Sequence, residues 1–202
     1  MASRKEEADL VYQATDKIIG RLAGSLETPK TRADLANIRK SINGSTSQNM
    51  NTWGILFENL PVESLGRGPD LNNVEKVTLT TLQLYALHQQ GRKTPAQVKQ
   101  KEEEFDNLGQ SLRALRTEDH KVSIDRRFNV MVTSTSFEEL THHLRQLIKL
   151  LKSRTEAGIN YPKLGQDLYY FASGYQERVR SNWSRAYYYI EKKKEGEENN
   201  AK

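Results

Sequence analysis

The chain has 202 residues, 36% hydrophobic and 28% charged, a balance that allows a modest core under a large hydrated surface and does not make disorder the default. Its 31 Lys and Arg against 26 Asp and Glu give a formal net charge of +5; with no cysteine, it has no disulfide, no thiolate nucleophile and no Cys-ligated zinc. No apolar run approaches the ~18 residues needed to span a bilayer, and the opening MASRKEEADLVYQ is charged from its fourth residue, so a reducing cytoplasm is expected, with no membrane partner.

Val11, Ala14, Ile18 and Leu22 recur at helical spacing and predict a first amphipathic helix ending near Pro29. A second is expected from Thr31, with Ala33, Leu35, Ala36 and Ile38 followed by Arg39 and Lys40. The polar stretch Ser41–Thr52 reads as a loop, and Trp53, Ile55, Leu56, Phe57 and Leu60 as an apolar cluster stopped by Pro61. After the Gly66–Pro69 turn, a helix is expected over about Asn72–Gln90. Leu79, Leu82 and Ala86 line one side of it, Leu84 and Leu87 widen the apolar face, and so it belongs at the centre. His88 on that helix reads as a hydrogen-bonded structural histidine.

Gly91–Glu104 is polar and reads as a mobile linker or exposed insertion, with Glu102, Glu103 and Glu104 as solvated charge. From Phe105 the helical signal is nearly continuous and divides into 105–116, 120–133, 136–154, 161–172 and 175–193. Ser136 with Glu139 matches a capping box, and Pro162 suits a first helical turn. The expected architecture is all-α, a compact bundle of about eight or nine helices over residues 1–190. A subdivision into halves 1–91 and 105–190, joined by the linker 92–104, fits the same pattern, and 191–202 reads as a disordered tail.

The charge is unevenly placed. Residues 113–185 carry 13 Lys and Arg against 8 Asp and Glu, leaving 18 of each elsewhere, so the whole surplus lies in the C-terminal half. That is the distribution of a polyanion-binding face, and equally of a generic basic surface. In the helix from Ser136, Phe137, Leu140, Leu144, Leu147 and Leu151 form the buried stripe, and His142, Arg145, Lys149 and Lys152 a second one. Arg145 to Lys152 spans roughly 10 Å, the reach of two or three phosphates, although a solvated helix face has the same pattern.

In the last helix Val179, Trp183, Ala186 and Ile190 form the core stripe, Arg178 and Arg185 share another face, and Arg180 lies to one side. Tyr187, Tyr188 and Tyr189 either stack on bases or pack; packing is expected for at least two of the three. Arg126 and Arg127 either clamp neighbouring phosphates or pair with Asp119 or Asp125, and Arg113 and Arg116 extend the basic theme. His88, His120, His142 and His143 have no metal-binding spacing, and no phosphate-loop, dinucleotide or nucleophile-elbow motif occurs. No catalytic residue, metal or cofactor is therefore expected.

Eight stretches, in order, resemble the small-subunit (CasB) family of the type I-E CRISPR interference complex, Cascade. They are RADLANIRK (32–40), the segment around Trp53, LYALHQQG (84–91), NLGQSLRAL (107–115), DRRFNVMVTS (125–134), LTHHLRQLIKLLK (140–152), INYPKLGQDLYYF (159–171) and RVRSNWSRAYY (178–188). The resemblance covers about Arg32 to Tyr188 and departs from the pattern at Gln110, where some members carry arginine. It implies an all-helical subunit without enzymatic activity, present in two copies in a prokaryotic ribonucleoprotein. There it would touch the backbone subunits that bear the crRNA, the large subunit and a target or displaced DNA strand of the R-loop. It further implies DNA contacts at Arg39, Lys40, Arg113, Arg126, Arg127 and Arg145; the helical stripes extend that set to Lys149, Lys152, Arg178, Arg180 and Arg185. The alternative is a structural adaptor whose basic face meets other protein subunits.

Overall fold

The computed structural model describes residues 3–42, 50–98 and 106–189. Capping chemistry decides where several helices begin. Ser3 opens α1 (Arg4–Ala23): its hydroxyl accepts from the Glu6 amide, and the Glu6 carboxylate accepts from the Ser3 amide at 2.6 Å. Such a cap contributes about 1 kcal/mol. α1 stops at Ala23, capped by Gly24, well before Pro29. Pro29 instead opens α2 (Pro29–Lys40), where its missing N–H is one the first turn leaves unpaired, and Thr28 caps the Thr31 amide.

α3 (Met50–Phe57) takes in three residues of the expected loop, because Thr52, Ile55 and Leu56 turn into the core; 43–49 lie outside the described residues. A short 3-10 turn over Val62–Ser64 follows. α4 (Asn73–Gln89) begins at a second capping box, in which the buried Glu75 carboxylate accepts from the Asn72 and Gly66 amides, both at 2.8 Å. From Thr80 to Gln89 every residue of α4 is buried. α1, α2, α3, α7 and α8 pack around it, which gives it the central place its apolar breadth predicts.

The second part of the chain forms α5 (Leu108–Arg113), α6 (Lys121–Val132), α7 (Phe137–Arg154), α8 (Tyr161–Ala172) and α9 (Gln176–Tyr188). α5 is shorter than expected because Asn107 caps it through the Gly109 amide and the chain turns after Arg113. Ser136 caps α7 through the Glu139 amide at 3.1 Å, while the Glu139 carboxylate reaches back to the Thr135 amide at 2.7 Å. Phe105, Ile190 and the tail 191–202 lie outside the described residues.

α1 packs along α8, α5 on α9, and α6 on α7. Buried Asp167 of α8 accepts from Trp183 Nε1 of α9 at 2.7 Å and pairs with Lys163 at 2.9 Å. Gln166 donates to Asp9 at 3.0 Å, and the Tyr169 hydroxyl donates to Glu7. Helices from before and after 92–104 thus share one hydrophobic core.

Part of the expected mobile linker is fastened to that core. Ala96 is fully buried and its amide donates to Gln89 Oε1 at 2.7 Å. The Ile159 amide donates to the Ala96 carbonyl and the Val98 amide to the Ile159 carbonyl, while Gln97 Oε1 accepts from the Tyr161 amide. This isolated parallel bridge, Gln97 to Ile159, is the only sheet-like pairing among the described residues. Polar composition concealed it because backbone groups make the bridge and two glutamine side chains brace it. Residues 99–105, with Glu102, Glu103 and Glu104, lie outside the described residues.

Candidate nucleic-acid interface

α6 turns Ile124, Phe128, Met131 and Val132 inward, which aims Arg126 and Arg127 at solvent. Neither arginine has a hydrogen-bond or ion-pair partner among the described residues. Asp125, a candidate partner, is held by Arg116 instead, through Nε at 2.8 Å and Nη2 at 3.2 Å. The Arg116 fork and the Tyr187 hydroxyl hold the Asp125 carboxyl below its ordinary range. Arg126 and Arg127 line an open groove of about 650 Å³ between α6 and α7, together with His143, Gln146, Leu147 and the other candidate partner, Asp119, which makes no ion pair with either arginine.

The second stripe of α7 resolves into two flanks. Arg145 and Lys152, seven residues apart, lie on the side of Glu138, which pairs with Lys76 of α4 at 2.6 Å. Lys152 Nζ donates to Gln90 Oε1 at 3.2 Å, and Arg145 is half-buried with its Nε sealed and unpartnered. Burial lowers both pKa values, and nearby Arg39 adds to the shift at Lys152. His143 and Gln146 occupy the opposite flank, facing the α6 groove, while His142 and Lys149 stay exposed. Arg127 and Arg145 therefore stand on different sides of α7.

The remaining candidates differ in how far they are engaged. Arg180 donates to the Ser134 carbonyl at 2.6 Å and pairs with Glu177, which ties α9 to the turn between α6 and α7. Arg113 donates to the Tyr189 carbonyl at 2.7 Å. Arg178 is exposed, 4.7 Å from the centre of the Tyr170 ring, and exposed Arg185 reaches Asn182 at 3.4 Å. Tyr187 is fully buried and stacked on Phe128 at 3.8 Å; Tyr188 leans edge-on against Phe128 and donates to Asn129; Tyr189 is 43% exposed. Tyr187 therefore packs in full, while Tyr188, 39% exposed, packs along one edge only.

Arg39 and Lys40 end α2, Lys40 exposed and Arg39 half-buried. Arg39 lines a second groove, of about 550 Å³, between α2 and the C-terminal end of α4, where it meets Arg32, Arg92 and Lys93. Those three cations were not candidates on sequence. Arg92 and Lys93 sit in a near-neutral polar stretch, and only the turn at Gly91 (φ +79°) swings them over the end of α4.

Fold and site define a class: an all-helical protein that carries, among the described residues, two grooves lined by arginine. Among the described residues it groups no three metal-ligating side chains and has no helix long and apolar enough to cross a membrane. The family model described as CRISPR-associated protein Cse2 matches residues 34–188. The chain is similar to the crystal structure of CasB from Thermobifida fusca (TM-score 0.70, 23% identity, 89% of this chain and 98% of that one). It is also similar to those of M. ruber CasB (TM-score 0.60, 22% identity, 86% and 92%) and of CasB from Thermus thermophilus (TM-score 0.54, 21% identity, 93% and 99%). No curated protein sequence matches. The chain belongs to the Cse2 (CasB) family of small subunits of the type I-E CRISPR complex Cascade.

Proposed function

We propose that this Cascade subunit is non-catalytic and holds a DNA strand of the R-loop through the basic surface of α6 and its neighbours. The observation that carries the reading is the exposed pair Arg126–Arg127, without a partner among the described residues and set along an open groove. Lys40, Lys149, Arg178 and Arg185 are the other exposed candidates. R-loop formation exchanges one duplex for another of similar stability, so modest affinity for a displaced or target strand shifts the balance. Phosphates carry no base identity, which matches a subunit serving any guide. The partners implied are the crRNA-bearing backbone subunits, the large subunit, a second copy of the chain and single-stranded DNA in a prokaryotic cytoplasm, with crRNA touched only through the assembly.

Arg126→Glu with Arg127→Glu is expected to weaken binding to single-stranded DNA. It should also make the slope of log K against log salt shallower by about 1.4, at about 0.7 per phosphate contact. The same pair should lower R-loop affinity in the assembled complex while leaving thermal unfolding unchanged; unaltered R-loop affinity would sink the reading. Arg145 is a poorer site for charge reversal, because a carboxylate there would be half-buried beside α4. The adaptor reading is favoured at one place, the groove between α2 and α4.

A further inference from the structure

We propose that the groove between α2 and the C-terminal end of α4 docks an acidic peptide segment with apolar side chains, presented by a protein partner. This goes beyond the strand-holding reading. It takes Arg39 and Lys152 out of the strand-contacting set and adds Arg92 and Lys93, to which no role has been given.

Three features of the groove support it. The first is uncompensated charge. Arg32, Arg39, Arg92 and Lys93 line it and Lys152 stands at its edge, against Glu27, held by Arg32 at 3.0 Å, and Glu156, held by Arg92 at 3.3 Å. Both side chains of the Arg32–Glu27 pair are exposed, so that pair is weak and a ligand carboxylate can replace it at little cost. The second is positioning. The Arg92 side chain is only 9% exposed and its Nη2 donates to the Glu156 carbonyl at 2.9 Å, while Nε has no partner. That anchor fixes the Arg92 charge beside the groove, where the exposed Lys93 and half-buried Arg39 are the cations a ligand carboxylate reaches. The third is the floor, made by Leu26, Leu35, Ala36 and Ala86.

Those features separate a peptide from a nucleic acid. A phosphate backbone meets projecting, hydrated cations, as Arg126 and Arg127 are, and gains nothing from aliphatic side chains. No aromatic residue lines the groove for a base to stack on. A peptide that alternates carboxylates with aliphatic side chains satisfies cations and floor together, the mixture of charged rim and apolar centre usual in protein interfaces.

The test uses the full chain and fluorescence anisotropy at low salt, with a labelled peptide of alternating glutamate and leucine as one probe and labelled oligothymidylate as the other. Saturable peptide binding is expected, weakened about tenfold by Arg39→Ala with Lys93→Ala and untouched by Arg126→Ala with Arg127→Ala. Replacing leucine by alanine in the peptide should also weaken it. Both affected residues lie at the surface of the groove, and matching thermal melts confirm that the variants fold. Three outcomes overturn the proposal: no saturable peptide binding; equal loss of peptide binding in both double variants; or a loss of oligothymidylate binding in Arg39→Ala with Lys93→Ala as large as in the α6 pair. If peptide binding depends on Arg39 and Lys93 while the α6 pair leaves DNA binding intact, the docking site stands and the strand-holding reading fails.

Discussion

Asp125 on α6 joins Arg116, from the turn after α5, to Tyr187 of α9, and so fastens three parts of the C-terminal half at one carboxylate. Since the folded carboxyl titrates below its ordinary value of 3.8, its stabilisation is complete above that pH and is lost as pH falls through the folded value. Asp125→Asn is therefore expected to cost roughly 2 kcal/mol at neutral pH. The gap between variant and parent should close in denaturant melts below pH 3.8. Gly109 makes a different kind of demand: a Cβ there would lie 2.0 Å from the Trp183 carbonyl oxygen, backbone against backbone. Gly109→Ala must push α5 off α9, and a loss of about 2–3 kcal/mol is expected in the same melts.

At the scale of the element, α4 and α8 meet over a buried seam where His88 Nδ1 contacts the Tyr161 hydroxyl at 2.9 Å. Burial, with Arg92 and Lys152 nearby, pushes the imidazole down to about 4, so the folded chain keeps it neutral where an unfolded chain takes up a proton. The unfolded state then binds more protons, and stability should fall as pH drops from 6.5 toward 4, by up to roughly 3 kcal/mol. His88→Gln is expected to flatten that limb, read as midpoint denaturant concentration against pH.

The helices themselves were legible because Val11, Ile18 and Leu22, or Leu140, Leu144 and Leu151, repeat at helical spacing and are the residues buried. Their ends were less so. Pro29 marks a beginning where a stop was expected, since proline suits a first turn as well as it breaks a last one. For the candidate site, adjacency singled out Arg126 and Arg127, but helical spacing could not separate the α4 flank of α7 from the α6 flank, which depends on which helix packs where. The Arg39–Arg92–Lys93 grouping was invisible for the same reason: Arg39 is far in sequence from the Arg92–Lys93 pair, and they meet only through the Gly91 turn.

For the whole molecule, the packing of α1 on α8 and of α4 on both α7 and α8 makes each side of the chain the other's wall. Residues 3–98 and 106–189 expressed separately are expected to lack cooperative thermal unfolding, each having lost the surface that covers its apolar stripes, and mixing them should restore it. Independent melting of either piece would overturn that expectation. The two arginine-lined grooves open between different helix pairs, α6–α7 and α2–α4, so the two ligands proposed for them would not compete for one surface.

The backbone hydrogen bond from Val98 to Ile159 has a practical corollary. Asp106 accepts from the Asn160 side chain at 2.6 Å, so the residues that bound 99–105 are pinned to adjacent positions, 159 and 160. Chain inserted between two ends anchored in this way costs little: each doubling of the closed length costs only about 0.6 kcal/mol of closure entropy. A fluorescent or affinity module spliced between Val98 and Asp106 should leave the melting temperature within a few degrees of the parent. An insertion tolerated there would let the subunit be labelled without touching either terminus.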